Sequence, residues 1–177
     1  MPVTVQAPAA RRRLAAPLRA LVAWVLRREG RRAGEIGVRL ADDAELRDLN
    51  RRWRGIDRAT DVISFGYEEG APDPAPPGTP ARRPVTGDPV VSLDRVREQA
   101  KRFRVSDGAE LARLVIHGVL HLAGHDHARA GERRRMRARE EAALRAARAL
   151  VRRLEGATPR RAGARRRAAR APRRVPV

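Results

Sequence analysis

The four histidines of this 177-residue chain all lie within residues 117–127. His117 and His121 fall in a segment whose apolar residues recur at helical spacing, so both imidazoles project from the same side of a helix. Gly124 follows and favours the left-handed conformation that ends a helix. His127 then comes from the returning chain. Two imidazoles from a helix and one from the following turn suit a tetrahedral zinc ion whose fourth position is open for catalysis.

This spacing predicts a metal site with His117, His121 and His127 as ligands and one zinc ion as the expected cofactor. Three imidazoles also suit nickel, cobalt and copper, so the native metal stays open. An isolated histidine pair is more often ordinary surface or core. The apolar helix, the helix-ending glycine and the lack of any other histidine favour a site. His125 is the spare histidine, and Asp126 is a candidate to orient a ligand imidazole.

The same spacing is that of the extended zinc motif of metzincin proteases. Those enzymes carry a glutamate directly after the first histidine, where it acts as the general base. This chain has Gly118 there, and glycine cannot accept a proton. A zinc peptidase is therefore the second hypothesis, which a carboxylate brought to the metal from elsewhere in the fold would restore.

Composition limits the classes of protein that fit. The chain has no cysteine, which excludes disulfides and thiolate ligands and suits a reducing compartment. Its formal charge of +19 favours a nucleic-acid partner, although almost all the basic residues are arginine, a skew that also fits genome composition. Residues 156–177 hold eight arginines and no acid. We predict that they form a disordered basic tail, either an RNA-binding arm or a solvated extension.

Hydrophobic periodicity predicts an α+β fold, with a single domain over residues 1–155. The expected strands are residues 2–6, 35–40, 60–65 and 88–92, which form one small mixed four-stranded sheet packed by about five helices. The expected helices are residues 14–28, 43–53, a helix ending near Phe103, the histidine-bearing helix and a single long helix over 129–154. The apolar part of the first helix is too short to span a bilayer, so we predict a cytoplasmic protein without membrane association.

Local signals predict where these elements begin and end. Asp42 is the expected N-cap of the second helix, Ser92 or Asp94 that of the third, and Asp107 that of the histidine-bearing helix. Residues 66–87 contain many prolines and are predicted to be a long loop. Pro89 is expected at the first position of its strand or in an edge strand, where no ladder donor is needed.

Residues 117–127 resemble the signature of the YbeY family of metal-dependent endoribonucleases, close to His-Gly-x-Leu-His-Leu-x-Gly-(Tyr or His)-Asp-His, and agree with it throughout. Residues 49–65 resemble the family segment LN-x-x-(aromatic)-R-(small)-x-D-x-x-TDVLSF, and residues 87–92 its GDIVIS strand. The resemblance covers residues 35–154. The departures are Pro89, Gly66, the proline-rich loop and the basic tail, and none of them touches the three histidines.

The resemblance implies a three-histidine zinc site that cleaves single-stranded RNA, with roles in ribosomal RNA 3′-end processing, ribosome maturation and quality control. The implied partners are ribosomal RNA and the small ribosomal subunit, not DNA. It also implies that Arg54 is a catalytic residue. Cleavage builds negative charge on the phosphate oxygens, and one guanidinium can bind two of them. The nucleophile stays open between water activated by the metal and the RNA's own 2′-hydroxyl.

The remaining polar residues have more ordinary interpretations. Asp61 is expected to be a structural hydrogen-bond acceptor. The arginines that flank Arg54 either line an RNA groove or lie on a solvated face: Arg51, Arg52 and Arg58. Residues 133–139, with the neighbouring glutamates, predict a salt-bridged helix surface. A third hypothesis is a non-catalytic ribosomal RNA-binding assembly factor with a structural metal, whose removal would unfold the protein.

Overall fold

The computed structural model describes residues 3–67, 84–125 and 130–158. Within them, four strands form one sheet in the order β1-β2-β4-β3. These are β1 (Val3–Gln6), β2 (Ala33–Ala41), β3 (Val62–Gly66) and β4 (Val85–Ser92). Strands β1, β2 and β4 are parallel, and β3 runs antiparallel to β4 at one edge. The predicted α+β class with a mixed four-stranded sheet is confirmed.

The described residues contain six α-helices and a short 3-10 helix at Ala9–Leu14. The α-helices are α1 (Ala15–Arg28), α2 (Asp43–Arg54), α3 (Leu93–Phe103), α4 (Asp107–Leu122), α5 (Ala130–Ala146) and α6 (Arg148–Ala157). The single helix predicted over 129–154 is wrong, because the chain leaves helical geometry at Ala147. This break turns α6 against the start of α4. Gly108 permits the close approach, since a Cβ there would lie 2.6 Å from the Glu155 backbone.

Helix α4 is the central helix of the fold and contacts α1, α3, α5, α6, β3 and β4. It is apolar on most sides, and its buried side chains include Leu111, Leu114, Val115, Ile116, Val119 and Leu120. Each fully buried leucine stabilises the fold by about 1.5–3 kcal/mol. The N-cap is Ser106, whose hydroxyl accepts from the Ala109 amide, so the predicted cap Asp107 is wrong by one residue. The surrounding core therefore fixes where the polar residues of α4 lie.

Strand β4 is longer than predicted and is not at an edge. It begins at Val85, inside the loop predicted over 66–87. Pro89 consequently lies in a central strand between β2 and β3, contrary to the expected first or edge position. Beside it, the Gly37 amide of β2 donates to Asp88 Oδ1 at 2.9 Å. The Asp88 side chain thus provides a hydrogen bond between β2 and β4 next to Pro89, which has no backbone N–H to donate.

Some predictions lie outside the described residues. They concern residues 68–83 of the loop, Asp126, His127 and residues 159–177 of the tail. Helix α6 runs to Ala157, slightly past the domain boundary predicted at residue 155. In the described parts of the chain, no helix has the length and apolar character needed to cross a membrane.

Candidate active site

His117 and His121 lie one turn apart in the second half of α4, as their spacing predicts. Their ring centroids are 4.8 Å apart and the rings meet edge to face at 79°. Helix α4 ends at Leu122, and Gly124 turns the chain back with φ of 95°, as expected. His127 lies outside the described residues. The structure therefore brings together two of the three predicted ligands, and the residues it describes contain no group of three potential metal-binding side chains.

Glu140 of α5, which the sequence pattern assigned to a salt-bridged helix surface, holds the first of these histidines. Its Oε2 lies 2.9 Å from His117 Nδ1, and Arg113 Nη1 lies 3.3 Å from Oε1. Burial raises the pKa of Glu140, but the hydrogen bond from His117 and the charge of Arg113 outweigh burial and leave the pKa below its ordinary value. A carboxylate only accepts hydrogen bonds, so Nδ1 carries the proton, which makes Nε2 the candidate nitrogen for a metal.

Residues 133–139 and the neighbouring glutamates were predicted to form a salt-bridged helix surface. That prediction is wrong for Glu140, which is only 9% exposed. The spacing of the buried residues along α5 is the sequence signal that could have identified Glu140 as buried. Met136, Glu140, Ala143 and Ala147 are all buried and recur every three or four residues, which places Glu140 within the apolar stripe that packs on α4. A glutamate in such a stripe predicts a buried partner.

A chain of hydrogen bonds extends from Glu140 to the start of β3. Arg113 also donates to Gln99 Oε1 at 2.9 Å, and Gln99 Nε2 donates to Asp61 Oδ2 at 3.2 Å. The other oxygen of Asp61 accepts from the Val62 amide at 2.9 Å. These bonds support the structural role predicted for Asp61, which connects β3 through α3 to the helix that carries the histidines.

Gly118 lies where α4 and the sheet are in closest contact. A Cβ at this position would lie 3.0 Å from Pro89 Cβ, 3.0 Å from Ser64 Oγ and 3.3 Å from Val62 Cγ2. The Ser64 hydroxyl also donates to the Gly118 carbonyl at 3.1 Å. The glutamate that metzincins carry here would therefore crowd the sheet and force these neighbours to shift.

We expect Gly118→Ala to lower the free energy of unfolding by about 1–3 kcal/mol, because the added methyl overpacks the contact between α4 and the sheet. Urea unfolding followed by circular dichroism measures the change. The matched control is Gly156→Ala in α6, where an added Cβ meets nothing within 4 Å and the helix gains roughly 0.5–1 kcal/mol. Equal stability changes in the two variants would contradict the packing argument.

His125 takes part in a different cluster. Its Nε2 lies 2.8 Å from Glu29 Oε2, and Arg139 Nη1 lies 2.9 Å from the same oxygen. The cluster joins the end of α1 to α5. A ring nitrogen of His125 is therefore occupied by a carboxylate, which agrees with leaving this residue out of the predicted ligand set.

Arg54 is the exposed last residue of α2. The helix starts and stops as predicted: Asp42 Oδ1 accepts from the Glu45 amide at 2.9 Å, and Gly55 ends it with φ of 69°. The preceding arginines are paired with carboxylates: Arg47 with Asp57, and Arg51 and Arg52 with Asp48. Arg54 forms no ion pair with any described carboxylate. It lies at the end of α2, whereas His117 and His121 lie on α4.

A cavity of about 640 Å³ lies between α4 and α5, next to His117. Its lining residues are Arg113, His117, Arg133, Arg134, Met136, Arg137 and Glu140. The three arginines of α5 are exposed, whereas Arg113 is paired with the buried carboxylates Glu110 and Glu140. The cavity therefore presents positive charge to solvent beside one predicted metal ligand.

The fold and the site define an α+β protein built around a polar site on a buried central helix. The family described as endoribonuclease YbeY matches residues 6–148. A relative of that name from Anaeromyxobacter is 46% identical over 134 residues, which cover 76% of this chain and 65% of the relative. One from Myxococcus xanthus is 46% identical over 110 residues, which cover 62% and 35%. The chain belongs to the endoribonuclease YbeY family, as its resemblance predicted.

The matched regions span less than two thirds of the length of these two relatives. A solved structure gives independent support for the fold. The solution structure of a Thermotoga maritima protein is similar with a TM-score of 0.56 and 26% sequence identity, covering 80% of this chain and 86% of that protein.

Proposed function

We propose that the protein is a metal-dependent endoribonuclease that cleaves single-stranded RNA. The observation that carries this proposal is the hydrogen bond between His117 and Glu140 beside an arginine-lined cavity. A carboxylate on the second ring nitrogen is the usual way in which a metal-binding histidine is oriented, and arginine is well suited to phosphate. The relatives named endoribonuclease support the same activity.

The proposed metal is one zinc ion, or another divalent transition metal, held by His117, His121 and His127. The donors that the structure describes fit such an ion, since a carboxylate on Nδ1, as Glu140 is on His117, is the usual partner of an imidazole that binds a metal through Nε2. The chain has no cysteine, so an all-nitrogen site is the natural choice. When bound, the ion supplies a Lewis acid and lowers the pKa of water.

The protein's own groups have distinct roles in this proposal. Glu140 keeps the Nδ1 proton of His117 in place, and Arg113 keeps Glu140 charged. Arg54 binds the phosphate oxygens as negative charge builds on them. The arginines of α5 attract the RNA backbone and make binding fall with salt.

A zinc peptidase is disfavoured by two contacts. The chain has a glycine where metzincins carry their base, and a side chain at Gly118 would crowd Pro89, Ser64 and Val62. Glu140 does lie against His117, but it bonds Nδ1, on the side of the ring away from the predicted metal nitrogen. Its lowered pKa also makes it a weak base.

The cellular setting that we propose follows from the family: ribosomal RNA 3′-end processing and ribosome maturation in the cytoplasm, with the small ribosomal subunit as partner. A non-catalytic assembly factor with a structural metal is the alternative. It predicts that chelation unfolds the protein, whereas a catalytic site predicts lost cleavage with the helical content retained.

The experiment that tests the function is cleavage of a labelled single-stranded ribosomal RNA 3′ segment, with metal content measured on each protein. We expect Arg54→Glu to lower kcat/KM by roughly a hundredfold or more, because it replaces the cation that faces the developing charge. Its metal content should equal that of the wild type. The matched control is Arg52→Glu, on the same helix but paired with Asp48. Equal cleavage by wild type and Arg54→Glu would remove Arg54 from the mechanism.

A further inference from the structure

Three of the five aromatic residues of the chain form a row on one face of the sheet: Trp53, Phe65 and Tyr67. The rings of Trp53 and Phe65 meet edge to face with centroids 5.5 Å apart. Phe65 pairs with Asp88 across the β3–β4 ladder, and the Tyr67 hydroxyl bonds to the Asp88 carboxylate. Paired residues of a sheet share one face, so all three rings lie on the side of the sheet that faces α2. We call this set the aromatic row.

The outer members of the aromatic row are exposed to solvent. Trp53 is 69% exposed and Tyr67 is 58% exposed. The spacing of α2 predicts one apolar stripe through Leu46, Leu49 and Trp53, but the first two pack in a small core cluster with Phe65 and leave Trp53 largely outside it. In a chain so poor in aromatic residues, two exposed rings beside a third mark a binding surface.

The rings are held in place before any ligand arrives. Tyr67 donates to Asp88, whose other oxygen accepts from the Gly37 amide. The same hydrogen bond raises the pKa of Tyr67 to about 12, so the phenol keeps its proton at neutral pH. Trp53 rests against Phe65. Rings that are already ordered lose little entropy when a flat ligand stacks on them.

The aromatic row and the predicted metal ligands lie on opposite faces of the same edge strand. Ser64 alternates with Phe65 along β3, and its hydroxyl reaches the Gly118 carbonyl directly after His117. Strand β3 is at the edge of the sheet, so a flexible ligand that crosses this edge reaches both faces. Arg54 follows Trp53 and pairs with no described carboxylate, which places a cation for a phosphate next to the exposed ring.

We propose that the aromatic row stacks bases of the single-stranded RNA substrate a short distance along the strand from the cleaved bond. The inference rests on the proposed function and adds a base-binding subsite to it. Single-stranded RNA presents flat rings and negative charge together, and bases of any sequence stack on aromatic side chains. Arg54, next to Trp53, suits its phosphates.

Intrinsic fluorescence tests the contact directly, because the chain has two tryptophans. Trp24→Phe leaves Trp53 as the single emitter, whereas Trp53→Phe leaves Trp24, which is half-buried beside Arg28. The probe is a 2′-O-methyl oligoadenylate of about twelve nucleotides, titrated into the full-length protein. We expect the oligonucleotide to quench the Trp24→Phe protein and leave the emission of Trp53→Phe nearly constant.

Affinity and kinetics give the second readout. We expect Trp53→Leu to weaken binding of the oligonucleotide by about tenfold, an ordinary value for loss of one stacked base. Its KM for RNA cleavage should rise by a similar factor while kcat changes by less than about twofold. Trp53→Tyr should recover most of the affinity. Phe103→Leu is the matched control, since Phe103 is 56% exposed and lies outside the aromatic row.

Three results would overturn the inference. If wild type cleaves RNA and Trp53→Leu has unchanged KM and affinity, the proposed function stands and the aromatic row serves another ligand. If quenching is equal in Trp24→Phe and Trp53→Phe, the bases do not contact Trp53. If the wild-type protein neither binds nor cleaves RNA, the proposed function fails together with the subsite.

Discussion

Replacing His121 by alanine should abolish stoichiometric metal binding and lower cleavage of single-stranded RNA by roughly a thousandfold. The variant removes one of three predicted nitrogen ligands from the end of α4, while Glu140 still holds His117 through Nδ1. Metal analysis after dialysis and single-turnover cleavage measure the two effects. His121 is half-buried near the helix end, so we expect the alanine variant to keep the wild-type helical content.

The matched control is His125→Ala, which removes an imidazole from the same short stretch. The Nε2 of His125 is 2.8 Å from Glu29, and Arg139 still pairs with that carboxylate after the substitution. We therefore expect His125→Ala to retain its metal and its cleavage activity. Loss of metal from His125→Ala, with metal kept by His121→Ala, would refute the ligand set of His117, His121 and His127.

Replacing Glu140 should weaken metal binding although Glu140 is not a ligand. Glu140→Gln keeps the size of the side chain but loses the charge that orients His117, so we expect the metal Kd to rise roughly 10- to 100-fold. Glu140→Ala should in addition lower the free energy of unfolding by about 2 kcal/mol, because it leaves Arg113 and His117 around a buried gap. Competition with a chromogenic chelator and thermal unfolding measure the two quantities.

The neighbouring Glu141→Gln provides the control for Glu140. Glu141 is exposed and lies 3.7 Å from Arg145 on the surface of α5, so its replacement should change neither quantity measurably. A merely structural Glu140 would lower stability in both of its variants while leaving the metal Kd of the folded protein unchanged. That result would remove the positioning role that we assign to the hydrogen bond with His117.

The parts of the site that were predicted correctly depend on residues close together in sequence. The helical pairing of His117 and His121 follows from a four-residue spacing in an apolar segment, and the left-handed turn at Gly124 follows from the residue type. The cap at Asp42 was predicted for the same reason, and Ser92 was one of the two caps proposed for α3, because each side-chain oxygen bonds an amide three residues ahead. Such features need only local backbone geometry.

The order of the strands and the identity of the buried partners could not be obtained in this way. Because proline lacks a donor, Pro89 was expected at the first position of its strand or in an edge strand, but it lies within a central strand, where Asp88 bonds the Gly37 amide. Trp53 belongs to the apolar stripe of α2 and is nevertheless exposed. Each outcome depends on which element covers which face, and that is settled by packing across the whole sheet.

The sequence by itself determined the helix with two imidazoles, the family and the lack of a base at Gly118. Only the tertiary structure decided that Glu140 would turn inward to His117, and that Pro89, Ser64 and Val62 would fill the space beside Gly118. The physical reason is how far apart in the sequence the interacting residues lie. Helix periodicity and capping act within one or two turns, whereas a buried carboxylate or a close-packed glycine is defined by side chains tens of residues away that only the folded core brings into contact.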